Sequence, residues 1–268
     1  MMKSSYLGTH FRRIPRLLPA ILIFSFVAST VALQAEEVVI KANFSEGDGG
    51  SAVDGYPGGA GEGWLEPWRI TQPKGGRELF TLKVLQDDPL PEQTHYLHVE
   101  TKEPQQSITL ARALDRSALD LSKAHTVSFT VRLDALDPPD GEFRFKISAQ
   151  EEGDIGLSKS FWYVLSQNGF WYAVGKAEDG QTKWWKSSVP LRLGTAYSLI
   201  VTVDPEAKTF QVKIYDGANE VVSPVMLSHA ENAQDGATEY SFGGAVHAQL
   251  DLVPFAWSLG GVEIRGTK

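Results

Sequence analysis

Residues 195–217, TAYSLIVTVDPEAKTFQVKIYDG, limit the fold more than any other stretch of the chain. Tyr197, Leu199, Val201 and Val203 alternate with Ala196, Ser198, Ile200 and Thr202. After a turn, Phe210, Val212 and Ile214 alternate with Thr209, Gln211, Lys213 and Tyr215. A period of two on both sides of a turn predicts an antiparallel hairpin with one buried face. The turn chemistry agrees. Asp204 can accept from backbone amides ahead of it, Pro205 pre-sets its φ, and Asp216-Gly217 closes the second strand.

The same alternation recurs from end to end. Strands are expected over 37–44, 80–85, 96–100, 107–114, 126–133, 143–148, 161–165, 170–174, 182–187, 249–253, 255–259 and 261–265. Pro138-Pro139-Asp140-Gly141 marks a turn, and Gln167-Asn168-Gly169 is a hairpin signal. Residues 114–124 form a short helix or a turn, and 223–240 read as polar and irregular. Many short strands without a βαβ rhythm or a fixed repeat predict an all-β fold, a two-sheet antiparallel jelly-roll sandwich.

The first residues read as an address. Lys3, Arg12, Arg13 and Arg16 precede an uncharged apolar run over 17–33, and small residues lead to Ala35 ahead of Glu36-Glu37. That is the layout of a secretory signal peptide, cleaved after Ala35 although Leu33 fits the −3 position less well than alanine. An uncleaved membrane anchor is the competing reading, and Pro19, Ser25, Ser29 and Thr30 weigh against it. No cysteine follows, which excludes a lipid-anchored lipoprotein, disulfides and thiol catalysis. Removing 35 of the 268 residues leaves one domain, 36–268, destined for the periplasm, cell surface or exterior. It carries 21 basic against 33 acidic residues, a net charge of −12. That balance argues against nucleic acid and, after cleavage, membranes as partners. It favours a neutral glycan over a polyanionic one unless basic residues cluster locally.

Three segments carry a resemblance: Phe44…Gly63-Trp64-x-x-x-Trp68, the 197–217 hairpin, and the closing Gly261-Val262-Glu263-Ile264-Arg265 strand. Together they resemble the concanavalin A-like lectin/glucanase superfamily, including laminin-G-like domains, over most of 37–266. The resemblance implies that the first and last strands lie side by side and that a concave sheet face holds glycan. The superfamily includes lectins, glycoside hydrolases, polysaccharide lyases and domains without known activity, so fold does not choose function.

Hydrolysis requires paired carboxylates about 5 Å apart in a retaining enzyme. The laminarinase-like members use Glu-x-Asp-x-x-Glu; here Glu46-Gly-Asp48 and Glu152-Gly-Asp154 come nearest, with Ser51 and Leu157 in third position. This departure removes the main reason to read a glucanase. A lyase would need a base and a cation, for which Arg144 and Lys146 with Tyr163, Tyr172 or a histidine are the candidates. His95 and His98 are three apart on a strand, point to opposite faces and do not form a metal site. No cofactor is expected; Asp48 and Asp54 leave a structural calcium open without predicting one.

The runs Phe161-Trp162-Tyr163, Phe170-Trp171-Tyr172 and Trp184-Trp185 are the strongest remaining lead. Neighbours on a strand face opposite ways, so the core cannot take every ring. With Phe170, Tyr172 and Val174 inward, Trp171 would point out, and Trp162 and one of Trp184 and Trp185 with it. Exposed indoles suit the apolar face of a sugar ring. The expectation is therefore a non-catalytic, exported sandwich that binds poly- or oligosaccharide through Trp162, Trp171, Trp184, Trp185, Arg144 and Lys146. A polysaccharide-degrading enzyme and a protein-contacting adhesion module are the alternatives.

Overall fold

The computed structural model describes residues 36–42, 44, 63–73, 77–88, 90–102, 107–139, 141–150, 157–230, 239–246 and 253–268. Among these, seventeen strands and two single-turn 3-10 helices are formed, and every ladder is antiparallel. The ladders sort into two layers.

The first layer is centred on β6 (His125–Leu136). On one side β6 pairs with β11 (Ala196–Asp204), followed by β12 (Thr209–Tyr215), β13 (Glu220–Val222) and β14 (Met226–Leu227). Its other side is shared. The first half pairs with β17 (Val262–Thr267), which carries β1 (Glu37–Ala42), and the second half pairs with β16 (Phe255–Leu259). Outside β16 lie β4 (Tyr96–Thr101) and β3 (Phe80–Leu85). The first and last strands do lie side by side, with Ile40 opposite Ile264.

The second layer runs β2 (Arg69–Pro73), β5 (Ser107–Ala113), β15 (Glu239–Val246), β7 (Phe143–Gln150), β8 (Ser160–Gln167), β9 (Phe170–Lys176) and β10 (Thr182–Pro190). A single pairing, Leu227 with Lys176, joins the layers through β14 and β9. This is the two-sheet antiparallel jelly-roll sandwich that the alternation predicts.

Local chemistry explains the elements. In the β11–β12 turn Asp204 Oδ1 accepts from Ala207 N at 3.0 Å, and Pro205 O accepts from Lys208 N at 3.1 Å. Asn168 and Gly169 both take left-handed φ, 48° and 68°, the two-residue turn that matches strand twist. Residues 114–124 form turns rather than a helix. Asp115 Oδ1 accepts from Ser117 N at 2.8 Å and Asp120 Oδ1 from Ser122 N at 3.0 Å, so two side chains replace helical carbonyl partners. Trp64 and Trp68 anchor the entry to β2: the Trp64 indole donates to Lys41 O at 2.9 Å, and Trp68 stacks on buried Phe44.

Strand β15 falls where the alternation is weakest. The polar stretch 223–240 overlaps its start, and Gly243-Gly244 interrupts the pattern after four residues. Yet β15 is central, ladder-paired on both sides. The expected strand at 249–253 lies outside the described residues apart from Val253.

The core is rich in rings that cross between layers. Trp162 of β8 stacks on Phe129 of β6 at 6.2 Å and 10°, and Phe242 of β15 meets Phe129 edge-on at 5.2 Å. Trp171 of β9 stacks on Phe145 of β7 at 5.3 Å and packs edge-on against Tyr197 of β11. Such pairs contribute about 0.5–1.5 kcal/mol each beyond area burial. Trp171→Ala should therefore lower unfolding free energy by about 3–5 kcal/mol in a denaturant titration. A variant as stable as wild type would show that this ring is not packed inside.

Candidate functional site

The parity of the aromatic strands is the reverse of the one expected, and this corrects two site residues. Trp162 is 1% exposed and Trp171 0%, both on the inner face, so neither can serve as a surface platform. Phe170 and Tyr172 turn outward instead, as does Tyr163. The physical reason lies in the ring chemistry. Each triplet turns its indole, the larger ring, into the space between the layers, and the tyrosine beside it falls on the outer face.

Trp184 and Trp185 divide as adjacent strand residues must. Trp185 is half-buried against the core, whereas Trp184 is 49% exposed and meets Tyr172 edge-on at 6.0 Å. Arg144 and Lys146 stand on the outer face of β7. Arg144 donates to Glu142 Oε1 from both Nε (2.9 Å) and Nη2 (2.8 Å), so much of its charge is spent locally.

Ladder register places these residues on one surface. Two cross-strand rows run over the outer face of the second layer. One reads Ala111, Ser241, Ser148, Tyr163, Val174, Trp184; the next reads Thr109, Gly243, Lys146, Leu165, Tyr172, Lys186. Between β5 and β8 the face sinks into a cavity of about 220 Å³. Thr71, Thr109, Ser148, Gln150, Ser241 and Tyr163 supply hydroxyls and an amide to its walls, with Lys146, Glu239, Ser160 and Leu157. Gly243 keeps the floor low, since a Cβ there would sit 2.7 Å from Thr109 Oγ1.

The cavity brings together Lys146 and Tyr163 from the expected set and adds residues the sequence did not single out. Ser148 and Gln150 share the parity of Lys146, and that was a usable signal. Glu239 and Ser241 sit on β15, and their strand was not legible.

Electrostatics order the site. Glu239, with a side chain 5% exposed, is held by the Arg69 guanidinium and accepts from Gln150 Nε2 at 3.1 Å. Arg69 is also paired with Glu66. A carboxylate so buried is tolerable because its lone pairs are engaged. Burial pushes the Tyr163 phenol up to about 12, against the opposing pull of the Arg144 cation. Tyr163 is thus a neutral hydrogen-bonding group at physiological pH, and not a base in waiting.

Elsewhere His98, Asp134 and Ser258 gather on the outer face of the first layer. A bulge between Ala256 and Trp257 re-aims Asp134 toward them. Ser258 Oγ donates to Asp134 Oδ2 at 2.5 Å, His98 Nδ1 is 3.2 Å from the same oxygen, and Arg132 Nε holds Oδ1. Burial would raise the Asp134 carboxyl, but the bonds from His98, Ser258 and Arg132 hold it below its ordinary value. Ser258 Oγ also lies 3.3 Å from His98 Nδ1, the same ring nitrogen that faces Asp134, so the imidazole does not link serine to acid through its two nitrogens as a nucleophilic triad requires. His95 bonds Thr94 at 3.0 Å, away from His98. Among the described residues no group of three metal-ligating side chains forms. Glu46, Asp48, Asp54, Glu152 and Asp154 lie outside the described residues.

No protein-family model and no curated protein matches the chain. Solved structures do resemble it. A protein of unknown function from Shewanella oneidensis MR-1 shares 11% identity at a TM-score of 0.54, over 95% of this chain and 97% of that one. The catalytic domain of a glycoside hydrolase family 131 protein from Coprinopsis cinerea shares 13% identity at 0.52, over 83% and 91%. A sialidase shares 13% at 0.47; the match covers 74% of this chain but 16% of the sialidase. At such identities the likeness is one of fold, the β-sandwich.

The raised Tyr163 phenol has a measurable consequence. An unfolded tyrosine ionises near pH 10, so Tyr163 contributes its stability below that pH and loses it as pH climbs toward about 12. Burial raises Tyr96, Tyr197 and Tyr240 as well. Tyr163→Phe should flatten part of the alkaline decline in denaturant midpoint between pH 10 and 12. An unchanged slope would place the Tyr163 phenol in water.

Proposed function

We propose that this chain is an exported, concanavalin A-like (laminin-G-like) sandwich that binds carbohydrate without catalysis on the outer face of its second layer. The observation that carries the reading is Trp184, half-exposed beside Tyr172 on the face that also holds the cavity. An indole offers a flat apolar surface, and the hydroxyls and amides of Thr109, Ser148, Gln150 and Ser241 offer the partners that sugar hydroxyls need. The fold likeness to a glycoside hydrolase catalytic domain lends support. Export follows from the basic start, apolar run and small-residue site at Ala35.

Glycan cleavage is the second reading, favoured by Lys146 and Tyr163 lining one cavity. Against it, a phenol pushed to about 12 is poorly matched to proton abstraction at neutral pH. The one carboxylate among the described cavity residues, Glu239, is already engaged by Arg69 and Gln150.

Trp184→Ala should weaken retention in polysaccharide-containing gels by about 1–2 kcal/mol, roughly 5- to 30-fold in affinity, with unfolding unchanged. Wild-type migration unaffected by every neutral and acidic polysaccharide tested would overturn the binding reading. Release of new reducing or unsaturated ends would replace it with the enzymatic one.

A further inference from the structure

We infer a second saccharide site, on the outer face of the first layer, that takes a neutral chain of hydroxylated sugar rings in a groove across β17, β6, β11 and β12. Ladder register lays two rows over this face. One reads Lys41, Glu263, Ser128, Ile200, Lys213; the next reads Thr130, Ser198, Tyr215. Long charged side chains stand toward the ends of the first row and shorter ones in its middle. The face therefore sinks between β17 and β12, three strand spacings or about 14 Å apart. The depression has a volume of about 620 Å³, and Gln93, Ser128, Thr130, Ser198, Ile200 and Tyr215 are among the residues that line it.

One wall of the groove is tied in place. Arg132, on the same strand as Ser128 and Thr130, reaches Asp88 Oδ2 at 3.0 Å and holds Asp134 with its Nε. The Tyr96 hydroxyl donates to Asp87 O at 2.6 Å. Further along, Leu90 is buried, and Gln93 Oε1 accepts from Gly261 N at 3.2 Å. A Cβ on Gly260 would lie 3.1 Å from Gln93 Cγ and 3.2 Å from Thr130 Cβ, which puts this wall beside Thr130. Tyr215 stands two strands away, across Ser198.

The lining chemistry selects the ligand. Thr130 Oγ1 and Ser198 Oγ are 3.1 Å apart and share one hydrogen bond, and Ser128 adds a third hydroxyl. A hydroxyl both donates and accepts, as the hydroxyls of a sugar do. Ile200 and the Tyr215 ring supply apolar area for the C–H face of a pyranose. Three cations at the rim are engaged by carboxylates: Lys41 by Glu263 at 3.0 Å, Arg265 by Glu263 and Glu37, and Lys213 by Glu220 at 3.1 Å. Cations so paired are poor anchors for an anionic ligand, and recognition rests on hydroxyls and apolar surface. With sites on opposite layers, one protein bridges two saccharide chains.

Amide shifts of the 15N-labelled protein separate this site from the one on the second layer. The probes are neutral tetramers of glucose, xylose, mannose and galactose, with a galacturonic-acid tetramer as the anionic control. At least one neutral tetramer should shift the amides of Ser128, Thr130, Ser198 and Tyr215 along one saturation curve, and more tightly than the control. Tyr215→Ala and Ser128→Gln, the latter filling the floor, should each weaken that curve about tenfold, whereas Trp184→Ala should leave it unchanged. Wild-type denaturant midpoints check that the variants are folded. Shifts confined to the second layer, or a first-layer curve that survives both groove substitutions, overturn this site and leave the second-layer reading standing. Shifts confined to the first layer keep this site and remove the other. Tighter binding of the galacturonic-acid tetramer in the groove overturns the neutral assignment, and no shifts with any probe remove both sites.

Discussion

The indoles of Trp162 and Trp171, packed against Phe129, Phe145 and Tyr197, decide which way the second layer faces. A strand has two faces and one residue of slip exchanges them, so once these rings are inside, every neighbour of opposite parity is outside. Lys146, Ser148, Tyr163, Tyr172 and Trp184 share a surface for that reason. The burial is imperfect in one respect: among the described residues the Trp162 and Trp171 ring nitrogens find no hydrogen-bond partner. Leaving such a donor dry costs about 1–3 kcal/mol, and the rings remain inside because the apolar area and ring contacts outweigh it.

That surface combines chemistries that a net charge conceals. The chain is acidic overall, and among the described residues Glu239 and Glu142 on this face are held by Arg69 with Gln150 and by Arg144. Charge recognition acts over distances near the screening length, so the local arrangement governs binding and the total charge governs only approach. The same locality separates Glu239 from a catalytic carboxylate and His98–Asp134–Ser258 from a triad: in each case the partner of the acid, and not its presence, sets what it can do.

Strand β15 shows why part of the cavity is not legible in the sequence. Gly244 leaves room for the Trp257 ring, since a Cβ would lie 2.6 Å from its Nε1, and Gly243 makes room for Thr109. Those contacts demand glycine, and glycine erases the alternation by which a strand is recognised. The residues that β15 contributes, Glu239 and Ser241, were hidden with it. By contrast Asp204, Pro205 and Asn168-Gly169 act through neighbours within a few residues, so their turns were legible.

Sequence alone determined the strand rhythm, the turns, the jelly-roll class and the rule that one of Trp184 and Trp185 must face out. These follow from interactions between residues close in the chain. The choice of which parity of β8 and β9 is buried, the position of β15, and the meeting of Lys146, Tyr163, Glu239 and Trp184 on one face were decided by tertiary structure. Each depends on how rings from one layer fill the volume left by the other, a quantity that no single strand contains.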